Sequence, residues 1–546
     1  MKTRRVVLIG FSGAGKSTVG RTLAQRLGWR LIDTDTEIAA REERSIPEIF
    51  RQDGESYFRQ VEREVMRTSL EADNAVIATG GGAVANEEIW RESWLGSADT
   101  LTVLLEAPAE ALHARLVEQQ ARDPEGTLRP MLEGDDPLAR IASLKAQREP
   151  WYRRARVVIP VENRSVDEVV SVIASAASPE TRHAVTLDVP GGRSEIGIQR
   201  GALAHLGDVI AERWPRARRV WVIADDAVAR WHLDSVASAV GATADVRTLT
   251  FPPGESSKSI AGLSALYDGL LGGGIERSDV IVALGGGVAG DLVGFAAATV
   301  LRGVGLVQLP TTLLAMVDSS VGGKTGINHA AGKNLIGAFY QPPAVLIDPA
   351  FLETLPEREY RSGWAEIIKH GLIEPSTPAG DSGLLNLVRE NAGALASGLS
   401  PLLPAVIARN VEIKASVVQA DERESGLRAI LNLGHTIGHA IEAAGYELLH
   451  GEAVAVGLHG AMRLAVAMDR IPESRALEVA ETLTTFGLPT EVHADVERVR
   501  RLMRSDKKRV SGEQRWIVPK AEGGVSIERG VAPEAVDAAL DAVVRP

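Results

Sequence analysis

Near the start of the chain, Gly10-Phe11-Ser12-Gly13-Ala14-Gly15-Lys16-Ser17 has the spacing of a phosphate-binding loop. Glycines let successive backbone N–H groups curl around phosphate oxygens, and the helix that follows adds partial positive charge at its N-terminus. Lys16 then reaches the β- and γ-phosphates, and the Ser17 hydroxyl takes a place on Mg2+. This is nucleotide chemistry, and the loop leaves the phosphorylated group open. Asp33 and Asp35 end the apolar Leu31-Ile32 run, where one could hold metal-bound water and the other deprotonate a hydroxyl. A polar turn would also explain them. Arg59 stands at a probable helix start, and Gly80-Gly81-Gly82 follows a strand. Arg129-Pro130 lies in a charged segment able to form a lid, and Arg148 adds one more cation.

A second constellation lies in the C-terminal half. His435-Thr436-Ile437-Gly438-His439 puts two histidines four residues apart, on one helix face. A metalloprotease helix needs Glu between them as its base, and Thr436 excludes that. With His450 and Glu366, two imidazoles and a carboxylate suffice for zinc with positions left open for substrate oxygens. Asp318-Ser319-Ser320-Val321-Gly322-Gly323-Lys324 and Lys333-Asn334 read as grips for an anionic, hydroxylated ligand. Gly285-Gly286-Gly287-Val288-Ala289-Gly290-Asp291 after a strand reads as a phosphate-approach loop, or a tight turn. Pro253 to Lys258 and Thr311-Thr312 could add ribose and phosphate contacts. This spacing suits a dinucleotide better than a mononucleotide.

These residues need an α/β scaffold. Buried parallel strands are expected at residues 6–9, 75–79, 102–105 and 157–159, with helices between them, as at 16–27 and 56–70. Residues 174–180 are small and end in Pro179-Glu180, a plausible linker. The β/α alternation then restarts, with strands at 220–224 and 280–284, and helical patterns dominate from about Pro356. The fold class is therefore α/β: a P-loop kinase with a parallel sheet, a dinucleotide-binding α/β domain, and a mostly helical metal- and substrate-binding domain. With 546 residues the chain exceeds one core, and 45% apolar content lets each unit bury its own. Asp and Glu (72) outnumber Lys and Arg (60), and a net charge of −12 argues against a general nucleic-acid binder. The absence of cysteine removes disulfides, thiolate zinc sites and a cysteine nucleophile. The apolar run at 6–10 is too short for a signal peptide, and no stretch approaches the ~20 residues of a membrane span. A cytoplasmic protein is expected, with no membrane or nucleic-acid partner.

Over residues 1–173 the motifs resemble shikimate kinase. The resemblance implies that Gly13, Ala14, Gly15, Lys16, Ser17 and Thr18 bind ATP with Mg2+, Ser17 and Asp33 serving the metal. It implies that Asp35 takes the substrate hydroxyl, that Arg59 and Arg148 grip the substrate carboxylate, that Gly81 passes under the ring, and that Arg129 closes over ATP. The lid, 119–136, is longer than the family's.

From about His183 onward the strings resemble 3-dehydroquinate synthase. That resemblance implies Zn2+ or Co2+ held by Glu366, His435 and His450, with His439 near the substrate. It implies NAD+ contacts from Asp225, Glu255, Lys258, Gly287, Val288, Ala289, Gly290, Asp291, Thr311, Thr312, Lys324, Lys333, Phe351, Leu352, Glu353 and Thr354. Substrate contacts would come from Asp318, Lys324, Lys369, Lys414, Arg428, Asn432, His439 and a lysine of Asp506-Lys507-Lys508. A homodimer through this half would bring in Arg302 from the neighbouring subunit. The implied reaction oxidises, loses phosphate, reduces and closes a ring, with the dinucleotide regenerated in each turnover. The domains are then 1–173, a linker at 174–182, 183–355 and 356–546. The joint expectation is a bifunctional enzyme acting on small molecules, since two families of one pathway seldom meet by chance. Alternatives are a related sugar-phosphate cyclase, a metal-dependent polyol dehydrogenase, or a P-loop domain that only senses nucleotide. Retention of Asp35, Arg59 and Arg148 speaks against the last.

Overall fold

Runs of Val, Ile, Leu and Ala without a polar face become the central strands of the N-terminal sheet. In the computed structural model the described residues are 3–545, apart from 92, 123–135, 163, 179–181, 242–243, 399, 446 and 508–514. They divide into two compact units, one of Met1–Thr181 with Asn386–Leu395 and Ser400–Ala405, the other of Arg182–Leu385, Ala396–Leu399 and Val406–Pro546.

Among its described residues the first unit has five parallel strands: β1 Arg5–Ile9, β2 Arg30–Asp33, β3 Ala75–Ala78, β4 Thr100–Glu106 and β5 Val157–Pro160. Their spatial order is β2-β3-β1-β4-β5. The register aligns Arg5 with both Ala75 and Thr100, so neighbouring strands end level. Three adjacent strands therefore deliver the phosphate loop (after β1), Asp33 and Asp35 (after β2) and the glycine triplet (after β3) to one edge. Ligands of open parallel sheets bind at such carboxyl ends.

The second unit repeats the device. Its sheet comprises β6 His183–Val189, β7 Gly192–Ile198, β8 Arg219–Asp225, β9 Asp245–Phe251, β10 Val280–Gly285, β11 Gly305–Pro310 and, after the hairpin β12 Lys324–His329 with β13 Gly332–Phe339, β14 Ala344–Ile347. The order is β6-β7-β14-β11-β10-β8-β9, parallel except for the β6/β7 pair. Trp221, Ile281, Leu292 and Leu306 belong to the core packed on one face of it. β8, β10 and β11 stand side by side, so Asp225, the Gly285–Gly287 turn and Thr311-Thr312 share one edge.

From Glu357 the chain is mostly helical, as the pattern predicts, with a two-stranded addition, Trp516–Pro519 against Val525–Glu528. Two glycines explain how closely these helices approach. A Cβ at Gly451 would stand 1.9 Å from Ser362 O, and one at Gly457 would stand 2.0 Å from Gly434 O. Any larger residue would push the helix His450–Ala467 off the helices Glu357–Ile373 and His435–Ala443. Those contacts bring His450 to Glu366 and His435.

Candidate active sites

In the first unit the phosphate loop turns through glycines at positive φ, 86° at Gly13 and 92° at Gly15, values other residues rarely adopt. Helix Lys16–Leu27 follows directly, its N-terminus facing the loop. The buried Lys16 ammonium donates to Gly10 O (2.8 Å) and Phe11 O (2.9 Å), which folds it back over the loop. Ser17 Oγ donates to Asp33 Oδ2 at 2.6 Å. Asp33 Oδ1 meanwhile caps the helix Thr34–Glu42 by accepting from Asp35 N and Thr36 N. One carboxylate thus orients the Ser17 hydroxyl and sets the turn that carries Asp35.

The glycine triplet draws the remaining polar groups together. A Cβ on Gly80 would stand 2.8 Å from Asp35 Oδ1 and 3.0 Å from Glu62 Oε1. On Gly81 it would meet Arg148 Nη1 at 3.4 Å, and on Gly82 the Arg59 guanidinium at 2.7 Å. Asp35, Arg59 and Arg148 therefore crowd three successive bare backbone units. Arg148 Nη1 (3.1 Å) and Tyr152 OH (2.6 Å) both donate to Gly81 O. Burial pushes the Tyr152 phenol up to about 12, so it stays a neutral donor. Arg59 Nη1 donates to the buried Glu62 at 2.6 Å. Burial raises Glu62 above the usual carboxylate range, against the pull of Arg59. Glu62 and Tyr152 were not singled out from sequence, although Glu62 stands one helical turn from Arg59. Arg129 lies outside the described residues.

In the second unit Gly287 to Asp291 form the first turn of the helix Gly287–Thr299 rather than a loop ahead of it. The bare N-terminus of this helix faces the strand ends, as a pyrophosphate site requires. Asp225 caps the helix Asp226–Val240 through Oδ1, and its Oδ2 would lie 3.4 Å from a Cβ on Gly285. The buried Lys258 donates to Asp291 (2.8 Å) and Asn334 (2.6 Å), and Asn328 donates to Glu255 (2.8 Å). Thr311 Oγ1 is buried and has no hydrogen-bond partner among the described residues. An orphaned hydroxyl beside a bare helix terminus fits a dinucleotide. Phe351, Leu352, Glu353 and Thr354 lie in the turn Pro349–Thr354, where Thr354 bonds His232 at 2.6 Å, Phe351 packs on that ring, and Glu353 pairs with Arg200.

Glu366 is fully buried on the helix Glu357–Ile373, and its Oε1 has no hydrogen-bond partner among the described residues. His435 Nε2 and His450 Nε2 each stand 3.6 Å from that oxygen. His435 Nδ1 faces Leu433 O at 3.1 Å, and His450 Nδ1 faces Glu442 Oε2 at 3.3 Å. Both partners only accept, so each Nδ1 carries its proton and each Nε2 is left to bind a cation. Burial pushes His435 down to about 3. Burial opposes a charge on His450 too, but the Glu366 and Glu442 carboxylates push it up to about 10, so its Nε2 also holds a proton that a cation would displace on binding. The ligand atoms of Glu366, His435 and His450 lie within 4.8 Å of one another, and a group of His439, Glu442 and His450 meets the same limit. In the second group Glu442 takes the wrong nitrogen of His450 to share an ion with Glu366. Glu442 shares a helix face with His435 and His439, so spacing alone could have found it.

Beside this cluster stands a cationic one. Lys414 Nζ is 2.8 Å from Asp318 Oδ1 and 2.5 Å from Asp318 O, and Lys369 pairs with Glu366 while lying 4.0 Å from Asp318. Burial lowers Lys414 to about 8. Burial would raise Asp318, but Lys414 and Lys369 hold it below the usual carboxylate range. The buried Arg428 donates to Gly322 O at 3.3 Å and to Glu422 O. Glu424, overlooked in the sequence, accepts from Lys324 at 2.5 Å and from Asn432 at 2.8 Å. Lys333 pairs with Glu442 at 2.5 Å. His439 adjoins His435, with ring centroids 5.0 Å apart. Arg302 is not brought to the site: it precedes β11, whose six residues, roughly 20 Å of strand, separate it from Thr311. Lys508 lies outside the described residues, and Lys507 ends the helix Val496–Lys507.

Comparison with known proteins follows this division. Residues 12–178 match the shikimate kinase family, residues 248–362 the 3-dehydroquinate synthase N-terminal family, and residues 363–509 its C-terminal counterpart. The 3-dehydroquinate synthase of Symbiobacterium thermophilum is 42% identical over 358 residues, covering 65% of this chain and 98% of its own. That of Pelobacter propionicus is 46% identical over 343 residues, covering 62% and 94%. Among solved structures, a 2-deoxy-scyllo-inosose synthase complexed with carbaglucose-6-phosphate, NAD+ and Co2+ aligns with TM-score 0.58 at 26% identity, over 66% of this chain and 100% of its own. A 2-epi-5-epi-valiolone synthase from Streptomyces hygroscopicus subsp. jinggangensis, with NAD+ and Zn2+ bound, gives TM-score 0.58 at 26% identity, covering 66% and 98%. Among the described residues no helix is long and apolar enough to cross a membrane.

Proposed function

Because the chain belongs to the 3-dehydroquinate synthase family and carries a shikimate kinase domain ahead of it, we propose that the two constellations are its two active sites. The chain is a bifunctional enzyme of the shikimate pathway. One half phosphorylates shikimate with ATP to shikimate 3-phosphate; the other converts 3-deoxy-D-arabino-heptulosonate 7-phosphate to 3-dehydroquinate and phosphate. Relatives of 42–46% identity make dehydroquinate, whereas the cyclases of other sugar phosphates stand at 26%.

In the kinase, Asp35 receives the proton of the attacking hydroxyl, and Arg59 and Arg148 fork onto the substrate carboxylate. Gly80 to Gly82 leave room for the ring, and Glu62 keeps Arg59 aimed. Lys16 offsets charge on the phosphates, Ser17 and Asp33 serve Mg2+, and Gly13, Ala14, Gly15 and Thr18 line the ATP site. In the synthase, Glu366, His435 and His450 would hold the divalent ion, and the Gly287 to Asp291 helix terminus with Thr311 would hold NAD+. When bound, the ion supplies a Lewis acid for substrate oxygens, and the dinucleotide a hydride acceptor and donor. Lys324, Lys369, Lys414 and Arg428 bind the anionic groups of the substrate, Asn432 and His439 its hydroxyls, and Asp318 keeps Lys369 and Lys414 in place. The convergence of two imidazole Nε2 atoms on one buried Glu366 oxygen, which has no hydrogen-bond partner among the described residues, carries the synthase reading.

Domain bounds of 1–173, 183–355 and 356–546 about a linker at 174–182, a cytoplasmic location, and a homodimer whose substrate sites receive Arg302 of the partner subunit complete the proposal. One assay of the purified chain tests the chemistry. Shikimate should elicit ADP release, and the heptulosonate phosphate should release phosphate without net absorbance change at 340 nm. Accumulating NADH would mean a dehydrogenase instead.

A further inference from the structure

His370 follows Lys369 on the helix Glu357–Ile373 and is fully buried. Its Nδ1 stands 3.0 Å from Asn410 Oδ1, and the Asn410 amide nitrogen donates to Val406 O at 2.7 Å. A backbone carbonyl only accepts, so the Asn410 NH2 must face Val406 and its oxygen must face the ring. That oxygen also only accepts. Nδ1 therefore carries the proton, and in the neutral ring Nε2 presents a lone pair.

The lone pair has no donor among the described residues. It faces Asp318 Oδ1 at 3.8 Å, and that atom is an acceptor as well. A buried acceptor with no donor bears its whole desolvation cost, and His370 Nε2 is such an acceptor, whereas Asp318 Oδ1 already accepts from Lys414 at 2.8 Å and has lone-pair capacity for a second donor. One water removes that cost. Donating to each side at about 2.8 Å, its two O–H groups span acceptors about 4.4 Å apart, close to the spacing found. An ion shared by Asp318, Glu366 and His370, whose ligand atoms lie within 4.8 Å, is the competing idea. The Lys414 and Lys369 ammoniums already neutralise those carboxylates, so no cation is needed there.

We propose that His370, held as its Nδ1–H tautomer by Asn410, is a positioning residue of the synthase reaction: through one ordered water its Nε2 fixes the Asp318 carboxylate, and with it Lys414 and Lys369. The inference rests on the reading of Asp318, Lys369 and Lys414 as the synthase centre.

The test uses the full-length chain. A glutamine amide can place an acceptor where Nε2 stands, whereas an asparagine reaches only the Nδ1 position and keeps the Asn410 contact. His370→Asn should lower synthase kcat about tenfold or more, with KM and bound metal within about threefold of wild type, and His370→Gln should recover most of the loss. Kinase turnover should be unchanged in both. Asn410→Ala frees the ring to take the other tautomer and should also lower kcat at unchanged KM. This variant decides the matter if His370→Asn fails to fold. Wild-type kcat in His370→Asn or Asn410→Ala, glutamine no better than asparagine, a KM effect larger than that on kcat, or loss of bound metal would each overturn the proposal. Lys369→Ala is the separate check on the site itself: wild-type turnover there would refute the centre rather than the role of His370.

Discussion

Glu442 Oε2 stands 3.3 Å from His450 Nδ1, while Glu442 Oε1 holds Lys333 at 2.5 Å. A carboxylate behind a ligating histidine fixes its tautomer and raises its basicity, and losing such a partner lowers metal affinity about 10- to 100-fold. Glu442→Gln should therefore weaken Zn2+ or Co2+ binding by at least tenfold in competition with a chromophoric chelator. Shikimate phosphorylation should not change. Unaltered affinity would reduce Glu442 to a surface ion-pair partner of Lys333.

The two metals should separate cleanly. Mg2+ at Ser17 is held mainly by ATP phosphates and water and exchanges freely, whereas imidazole ligands retain their ion through purification. Chelation should stop both activities; Mg2+ should then restore only the kinase, and Zn2+ or Co2+ the synthase. His435→Ala should lose bound metal and synthase turnover together. His439→Ala should keep the metal and lose turnover. If His439→Ala empties the site and His450→Ala does not, the ligand set is His439-based, and elemental analysis would show it.

Gly82 offers a graded test of the kinase site. A Cβ there would stand 2.7 Å from Arg59 Nη1, at the end of a flexible side chain, so the chain should fold and the guanidinium should move. Gly82→Ala should raise KM for shikimate about tenfold or more, as Arg59→Ala also should, and leave KM for ATP near wild type. Lys16→Ala should instead lower kcat on the order of 10²-fold, because its contact strengthens in the transition state. An equal effect of Gly82→Ala on both substrates would mean that the triplet shapes the whole cleft rather than Arg59 alone.

What the sequence disclosed follows the range of the interactions. The phosphate loop, the glycine triplet and the histidine pair are local strings whose backbone or helical spacing carries their meaning, and each lies where its strand or helix implies. Glu442 is equally readable, at i+7 from His435 on the same helix face. Glu424 and the Asn410–His370 pair were not readable, because they meet partners many residues away through tertiary packing. The Gly287 to Asp291 segment reads as a loop by its glycines, yet packing of Ala289, Leu292 and Val293 into the sheet core winds it into a helix from Gly287 onward.

The last prediction concerns pH. Asp421 accepts from Ser425 N (2.9 Å), Gly426 N (2.7 Å), Arg428 N (3.0 Å) and Ser425 Oγ (3.0 Å), knotting the loop that presents Glu424 and Arg428. Partial burial would raise its pKa, but these donors hold the carboxylate down at about 2. An unfolded aspartate titrates near ~3.9. A depressed carboxylate stabilises the fold fully above that value, and the contribution is lost as pH falls toward about 2. Asp421→Asn, with one acceptor oxygen in place of two, should lower the thermal midpoint of the synthase unit at neutral pH. The gap from wild type should narrow between about pH 4 and pH 2, where wild type loses its own carboxylate. Synthase activity at neutral pH should fall as well, since Arg428 N is one of the groups that Asp421 ties. A midpoint difference that is constant with pH would show that the loop is held by packing and that the charge on Asp421 contributes nothing.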